Sequence, residues 1–379
     1  MTARRVLFLT TGLQGGGAEA MLVHLLRGLD RSRFSPTVVS LLEEGRLRSV
    51  VEGLDVPVRS LGLAPGQLPL LAPMRLARMV LHERPEIIQG WMYHGNLAAQ
   101  CLAPIVRVPV LWCVQNSFHT FAAEKPLTRL TIRSLALVSR FAARIVYVSQ
   151  VSRAQHERLG FAAAEGIVIP NGADVDRFRP STEARASLRR ELGVPSDTPL
   201  IGLIARYHPQ KDHATFLRAA ELLMAQEPRV HFVLVGAGVD RANVDLAMHP
   251  AIESGRVHLL GERADVAGLS AAFDVGTSSS SYGEGLSLAV AESMACEVPC
   301  VVTDVGDSGH LVGETGIVVP PQRPDDLAAG WRAALRRRSE LGPRARARIV
   351  ERFSVTAIVR RYEQLYEARR GGTNSPSGD

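Results

Sequence analysis

With 379 residues, 46% of them apolar, the chain can bury more core than one domain usually carries, so two domains are expected. No apolar run approaches the roughly 18–20 residues of a membrane span, and the nearest to one, Ile105 to Val114, is broken by Arg107 and Pro109. A net charge of +6 suits phosphate-bearing substrates or an anionic membrane surface; nucleic acid is disfavoured, because aromatics are 5% of the chain and no basic, aromatic-interleaved patch occurs.

The chain opens with Val6–Thr10, which predicts a first core strand rather than a signal peptide because the apolar stretch is short and runs into glycines. A glycine-rich loop from Gly12 to Gly17 leads into a helix over Ala18–Leu29, whose Leu22, Val23, Leu25 and Leu26 supply an apolar face. Gly15, Gly16 and Gly17 form a candidate phosphate loop, although the dinucleotide fingerprint is absent. Glu43 and Glu44 end the second strand, Thr37–Leu42, where a ribose-binding acid could lie. Further strands are expected at Glu86–Gln89, Pro109–Val114 and Arg144–Ser149, with a helix from about Gly95 to Ala103, and this alternation implies a parallel, doubly wound sheet.

His94 lies between the fourth strand and its helix, where it can touch a ligand or serve as a helix-capping or core histidine; His119 is a weaker second candidate. The segment Pro126–Arg144 reads as a helix with leucines punctuated by Arg129, Arg133 and Arg140, either a solvated face or a membrane-surface element. A strand around Ile167 then ends in Asn171-Gly172, which looks like the exit from one domain. Asp174-Val175-Asp176 has the form used by metal-dependent sugar transferases, but turn chemistry is the favoured reading. Cys101, Cys113, Cys296 and Cys300 sit in apolar segments without Cys-x-x-Cys pairs, which favours core packing in a reducing cytoplasm over zinc.

A second alternating series begins with Leu200–Ile204, followed by a loop carrying Arg206 and Lys211 and a helix over Ala214–Gln226. Of the 44 cationic side chains only Lys125 and Lys211 are lysines, so a lysine here suggests a need for a compact ammonium rather than a planar fork. Strands are expected at Val230–Val235, Val257–Leu260, Phe273–Thr277, Cys300–Thr303 and Gly316–Val319. After the third of these comes Ser278 to Ala295, which places Glu284 in a Ser/Gly-rich turn and Glu292 two turns into a small, apolar helix starting near Leu286 or Ser287. In open α/β sheets ligands sit at such junctions, and a buried carboxylate needs donors such as sugar hydroxyls.

These segments, in order and spacing, resemble the retaining GT-B glycosyltransferases of glycosyltransferase family 4, typified by bacterial polysaccharide and glycolipid enzymes. The resemblance covers nearly the whole chain. It rests on Gly15-Gly16-Gly17-Ala18-Glu19, Asn171-Gly172 through Phe178-Arg179-Pro180, Arg206 with Lys211, Val235 to Gly238, and Glu284-Gly285 with Glu292. It implies an α/β architecture of two Rossmann-like, doubly wound parallel-sheet domains facing a central cleft. Residues 1–178 would be the acceptor side, 179–353 the nucleotide-sugar side, and 354–370 a helix packing back on the first domain; residues 371–379 are polar and expected to be a disordered tail.

The resemblance further implies that Arg206 and Lys211 hold the donor diphosphate, Glu292 the ribose hydroxyls, and Glu284 with the backbone of Gly285, Leu286 and Ser287 the donor sugar. Arg263 falls where the family's base-binding loop lies, and His94 near the histidine that faces the sugar. Ala205 stands where the family usually has glycine, and Leu286 where an aromatic is frequent; neither is disabling. The implied reaction is retaining transfer from a nucleoside-diphosphate sugar, UDP-sugar favoured, to a glycan or lipid-linked acceptor, without a metal. The cations would stabilise charge on the leaving phosphate while the acceptor attacks from the leaving-group face. A GT-B sugar-nucleotide epimerase and a non-catalytic nucleotide- or NAD-binding protein are the alternatives. The expected location is the cytoplasm, with the inner face of the plasma membrane as a candidate surface.

Overall fold

A computed structural model describes residues 3–43, 45–64, 66–67, 69–118 and 121–368. Glu44, His119 and the tail 371–379, each named above, lie outside the described residues. The chain divides into two compact units, one formed by residues 1–171 together with the chain from Ile358 onward, the other by Gly172–Ala357. The division falls earlier than the expected break after residue 178. The segment after Asn171 is tied into the second unit: Ala173 N–H donates to the Phe353 carbonyl (2.8 Å), Val355 N–H to the Ala173 carbonyl (2.9 Å), and Phe178 is buried in the second unit's core.

In the first unit seven parallel strands, β1 (Arg4–Thr10), β2 (Phe34–Leu42), β3 (Val58–Leu63), β4 (Ile87–Trp91), β5 (Val110–Val114), β6 (Arg144–Tyr147) and β7 (Gly166–Val168), lie in the order β3-β2-β1-β4-β5-β6-β7. The order reverses direction between β1 and β4, so the loops leaving these two neighbouring strands diverge at the sheet's carboxyl edge. The helices Ala72–Glu83, Met92–Val106 and Pro126–Val138 share one core cluster over the sheet, through Leu76, Val80, Ala99, Leu102, Ile132 and Leu135. Close approach of the second of these requires Gly95, where a Cβ would lie 2.3 Å from the Leu9 carbonyl oxygen.

The helix Val355–Glu367 belongs to the first unit from Ile358 onward. Its Tyr362 and Tyr366 are fully buried against Trp91, Phe8 and Phe34, and Glu363 accepts from the Asp30 N–H (2.8 Å) and pairs with Arg33 (3.1 Å). The expected single helix after Pro126 ends at Val138 in a short 3₁₀ turn, Ser139–Phe141. There the Ser139 hydroxyl donates to the Ala136 carbonyl (2.8 Å) and accepts from the Ala162 N–H (2.9 Å).

The second unit repeats the plan with six parallel strands, β8 (Leu200–Ile204), β9 (His231–Val235), β10 (Val257–Leu259), β11 (Val275–Ser278), β12 (Cys300–Thr303) and β13 (Ile317–Val319), in the order β10-β9-β8-β11-β12-β13. Apolar clusters cover both faces, as a fully buried parallel sheet demands. Just before β11, Asp274 is buried at the amino end of the sheet. It accepts from Arg185 (2.7 Å), Arg189 (2.6 Å) and the Leu200 N–H (2.8 Å), and pairs with Arg338. This knot pins the helix Thr182–Glu191 to the sheet at the end opposite the loops that follow β8 and β11.

Candidate functional site

The loops after β8 and β11 leave neighbouring strands at the second unit's switch point. The first runs from Ala205 through a 3₁₀ turn, Pro209–Lys211, to Asp212, whose left-handed backbone (φ 47°) starts the helix His213–Gln226. Aspartate tolerates that conformation, and its carboxylate caps the helix by accepting from Thr215 N–H (3.1 Å) and Oγ1 (2.7 Å). The second loop is the serine run. Ser278, Ser279 and Ser280 are buried, and Ser279 Oγ donates to the Lys211 carbonyl at 2.7 Å. Ser281 N–H donates to the Gln210 carbonyl (2.9 Å), and Gln210 Nε2 returns a bond to the Gly283 carbonyl (2.8 Å).

This lacing brings Lys211 and Glu284 together, 73 residues apart in sequence. Lys211 Nζ lies 2.5 Å from Glu284 Oε2, and Ser280 Oγ donates to the same oxygen at 2.7 Å. Glu284 Oε1 accepts no hydrogen bond from the described residues. A third loop, after β12, braces the glutamate from behind: Gly306 (φ 64°) sits where a Cβ would be 1.7 Å from the Glu284 carbonyl oxygen, and Asp307 N–H donates to the Gly285 carbonyl (2.9 Å). Thr303 Oγ1 donates to the Ser280 carbonyl at 2.6 Å. Arg206 is exposed, without a hydrogen bond or ion pair among the described residues.

The helix expected near Leu286 or Ser287 spans Leu288–Ala295, with Ser287 as its extended N-cap residue and no side chain bonding to its first amides. Those N–H groups and the positive helix end offer an anion site next to Glu284. Leu286 packs against the core cluster, which leaves its backbone as the part able to meet a ligand. Glu292 carries a carboxyl pushed up to about 7, because burial outweighs the favourable field of Arg177, and Asp174 adds repulsion. No described residue donates a hydrogen bond to it, which leaves both carboxyl oxygens available to solvent or a ligand. Asp174 itself accepts from the N–H groups of Asp176 (3.2 Å) and Arg177 (3.0 Å), the turn role expected of it. The Arg263 guanidinium is clamped by Asp265 (2.7 Å) and Glu191 (2.6 Å).

The first unit's switch point is built differently. Gly16 is the N-cap of the helix Gly17–Gly28 and no side chain bonds to that cap, but the Glu19 carboxylate covers the same turn: Oε2 would lie 2.6 Å from a Cβ on Gly16. Arg46 crosses the loop at Gly15 and donates from Nε to the Gln14 carbonyl (2.9 Å). A phosphate entering this turn meets a resident carboxylate, which the glycine-rich sequence alone did not reveal. After β4, Met92 takes φ 63° and His94 lies half-buried on the first turn of its helix, without a hydrogen bond among the described residues. Burial lowers its pKa, which keeps the ring neutral at pH 7.

Sequence reasoning named Arg206, Lys211, Glu284 and Glu292 but missed the residues that hold Lys211 and Glu284 together, Gln210, Ser279, Ser280, Thr303 and Gly306. The signal available was the run of four serines after an apolar strand, which is more hydroxyl than a turn requires. Among the described residues no group of three or more His, Cys, Asp or Glu is arranged to hold a metal ion, and no helix is long and apolar enough to cross a membrane.

Two family models match in succession, Glycosyltransferase Family 4 over residues 15–177 and Glycosyl transferases group 1 over 198–337. The chain is 25% identical over 311 residues to "Putative glycosyltransferase EpsF" of Bacillus subtilis, covering 79% of each chain. It is 30% identical over 233 residues to "D-inositol 3-phosphate glycosyltransferase" of Corynebacterium jeikeium, where it spans 54% of that protein and 56% of its own length. Among solved structures, Anabaena HepE in complex with UDP superposes with a TM-score of 0.80 at 23% identity, covering 96% of this chain and 100% of that one. A glycosyltransferase from Rickettsia africae gives 0.80 at 16% identity, covering 98% and 100%.

Proposed function

The chain belongs to glycosyltransferase family 4 and has the GT-B fold, and on that premise we propose that it moves a sugar from UDP-sugar to a glycan or lipid-linked acceptor with retention of anomeric configuration. One observation carries this reading: Lys211 and Ser280 converge on one oxygen of a buried Glu284 beside an uncapped helix start, with Arg206 unpaired in the same loop. An ammonium has three N–H donors, so Lys211 can keep Glu284 and still reach a phosphate oxygen. Glu284 Oε1 accepts from hydroxyls of the sugar.

As the glycosidic bond breaks, its electron pair leaves with the UDP phosphate. Arg206, Lys211 and the amides at the start of Leu288–Ala295 stabilise the charge that builds there. The acceptor hydroxyl attacks the anomeric carbon from the leaving-group face and passes its proton to that phosphate oxygen. Glu292 takes the ribose hydroxyls. From the first unit, which we assign to the acceptor, neutral His94 can donate from one ring nitrogen and accept at the other, and the amides of Gly15, Gly16 and Gly17 remain candidates for a phosphate once Glu19 moves aside. Charge neutralisation by arginine, lysine and helix ends leaves no step that needs a divalent ion.

The test is a panel of UDP-sugars assayed for UDP release with and without glycan and polyprenyl-phosphate acceptors, with product anomers assigned by proton NMR. Acceptor-dependent release with retained configuration, undiminished by EDTA, is the expected result. Inverted product refutes retention. Metal dependence moves the charge assignment away from Arg206 and Lys211. Epimerised sugar formed without acceptor establishes the rival activity.

A further inference from the structure

We propose that the outward face of the first unit's helix Pro126–Val138 docks on an anionic lipid bilayer, an inference that stands apart from the donor-site reading. The helix has two apolar faces. Ile132 and Leu135 are fully buried in the unit's core, as an amphipathic helix requires. On the opposite side Leu130 and Leu137 are 61% and 79% exposed, three and four residues either side of Arg133. Leu127 and Phe141, at 57% and 63% exposed, lengthen the patch at its two ends. A solvated helix of the same chain looks different: Thr182–Glu191 exposes Glu183, Arg190 and Glu191 and no large apolar side chain.

The charge along this stretch is predominantly positive. Between Glu86 and Glu157 the chain has a single acidic residue, Glu124, whereas Lys125, Arg129, Arg133 and Arg140 all lie on or beside the helix. Two of the arginines lie over aromatic rings, Arg133 5.5 Å from the centroid of Phe121 and Arg140 4.9 Å from that of Phe141. A further helix of the same layer, Ala72–Glu83, is separated from this one by Met92–Val106 and also exposes apolar groups, Leu71 and Met74, next to Arg75 and Arg78. Exposed leucines interleaved with arginines, with no acid within the helix itself, match an interface in which acyl chains take the apolar groups and lipid phosphates the guanidinium groups. A protein partner of equal fit would have to bring a matching set of acids.

The test is co-sedimentation of the full chain with phosphatidylglycerol-containing vesicles and with pure phosphatidylcholine vesicles, at low and high salt. It compares wild type with Leu130→Ser/Leu137→Ser and with Arg129→Gln/Arg133→Gln/Arg140→Gln. Wild type should bind the anionic vesicles, bind the neutral ones poorly, and release with salt. The triple arginine variant should lose on the order of a hundredfold in partitioning, and the leucine variant at least about tenfold, with melting temperature and UDP affinity unchanged in both. Absence of wild-type binding to anionic vesicles, or equal binding by the variants, overturns the proposal. A concentration-dependent dimer abolished by Leu130→Ser/Leu137→Ser overturns it in favour of a second copy of the chain.

Discussion

The two switch points share a topology and differ in how finished they are. In the second unit the loops after β8 and β11 hold each other through backbone and side-chain bonds, and a buried carboxylate and an ammonium are already aimed at one place. In the first unit the loop after β1 carries glycines, but its helix start is covered by Glu19 and its surface crossed by Arg46, while the histidine after β4 is held by packing alone. Equal topology therefore gives unequal chemistry. Preorganised charge at the second site supports a catalytic load, whereas the first favours contacts that a ligand must complete.

The largest expected effect is at the second site. Lys211→Ala and Glu284→Ala should each lower turnover by roughly 10²–10³, the usual result of removing one preorganised group from a site of developing charge. Lys211→Arg should lose most of the activity too, because a planar fork does not fit between Glu284 and a phosphate as a point charge does. Near-normal turnover of the arginine variant would show that charge alone suffices.

Next comes Glu292→Gln, which should weaken UDP by about 1.5–3 kcal/mol if a charged hydrogen bond to ribose is lost, read by titration calorimetry. The sign with pH follows from a folded pKa raised from 4.5 to about 7. Wild-type affinity for a UDP-sugar, whose phosphates do not titrate in this range, should fall as pH drops below 7, while the glutamine variant stays flat. Stability moves the other way: ionised Glu292 costs the folded state up to about 3 kcal/mol above pH 7. Glu292→Gln should thus melt higher than wild type at pH 8, a gain that vanishes towards pH 4.5.

Effects in the first unit should be smaller. His94→Ala is expected to lower kcat/KM about three- to tenfold, the worth of one neutral hydrogen bond, and to leave UDP affinity unchanged; a loss as large as that of Lys211→Ala would erase the contrast between the units. Smallest of all, Glu19→Gln should cost about 0.3–1 kcal/mol of stability in urea denaturation, because its carboxylate sits on the positive end of a helix. An unaltered midpoint would mean that the acid does not cap that turn.

Most of the architecture was legible in the sequence, because parallel strands buried on both faces leave continuous apolar runs such as Leu200–Ile204 and Cys300–Thr303. The hairpin-free stretch holding β3 and the helix Ala72–Glu83 went unread, since Gly62, Pro65, Gly66 and Pro69 break up its periodicity. Helix starts moved by a few residues where tertiary contact decides: Met92–Val106 begins ahead of Gly95 through the positive φ of Met92. At the site, Lys211 stood out as one of two lysines, Glu284 as an acid in a Ser/Gly-rich turn at a strand's carboxyl end, and Glu292 as an acid in an apolar helix. Their arrangement was not legible. Pairing across 73 residues depends on Ser279, Ser280 and Gln210 meeting across two loops, and sequence has no local signal for such a bond.

The central claim is that Lys211 and Glu284 work as one unit on the donor. A double-mutant cycle of Lys211→Met and Glu284→Gln, read as kcat/KM with the UDP-sugar that the panel identifies, tests it most directly. The account predicts that the double variant is no worse than the poorer single one, because either change already disables the pair. Losses that multiply, or a single variant that keeps wild-type activity, would contradict it.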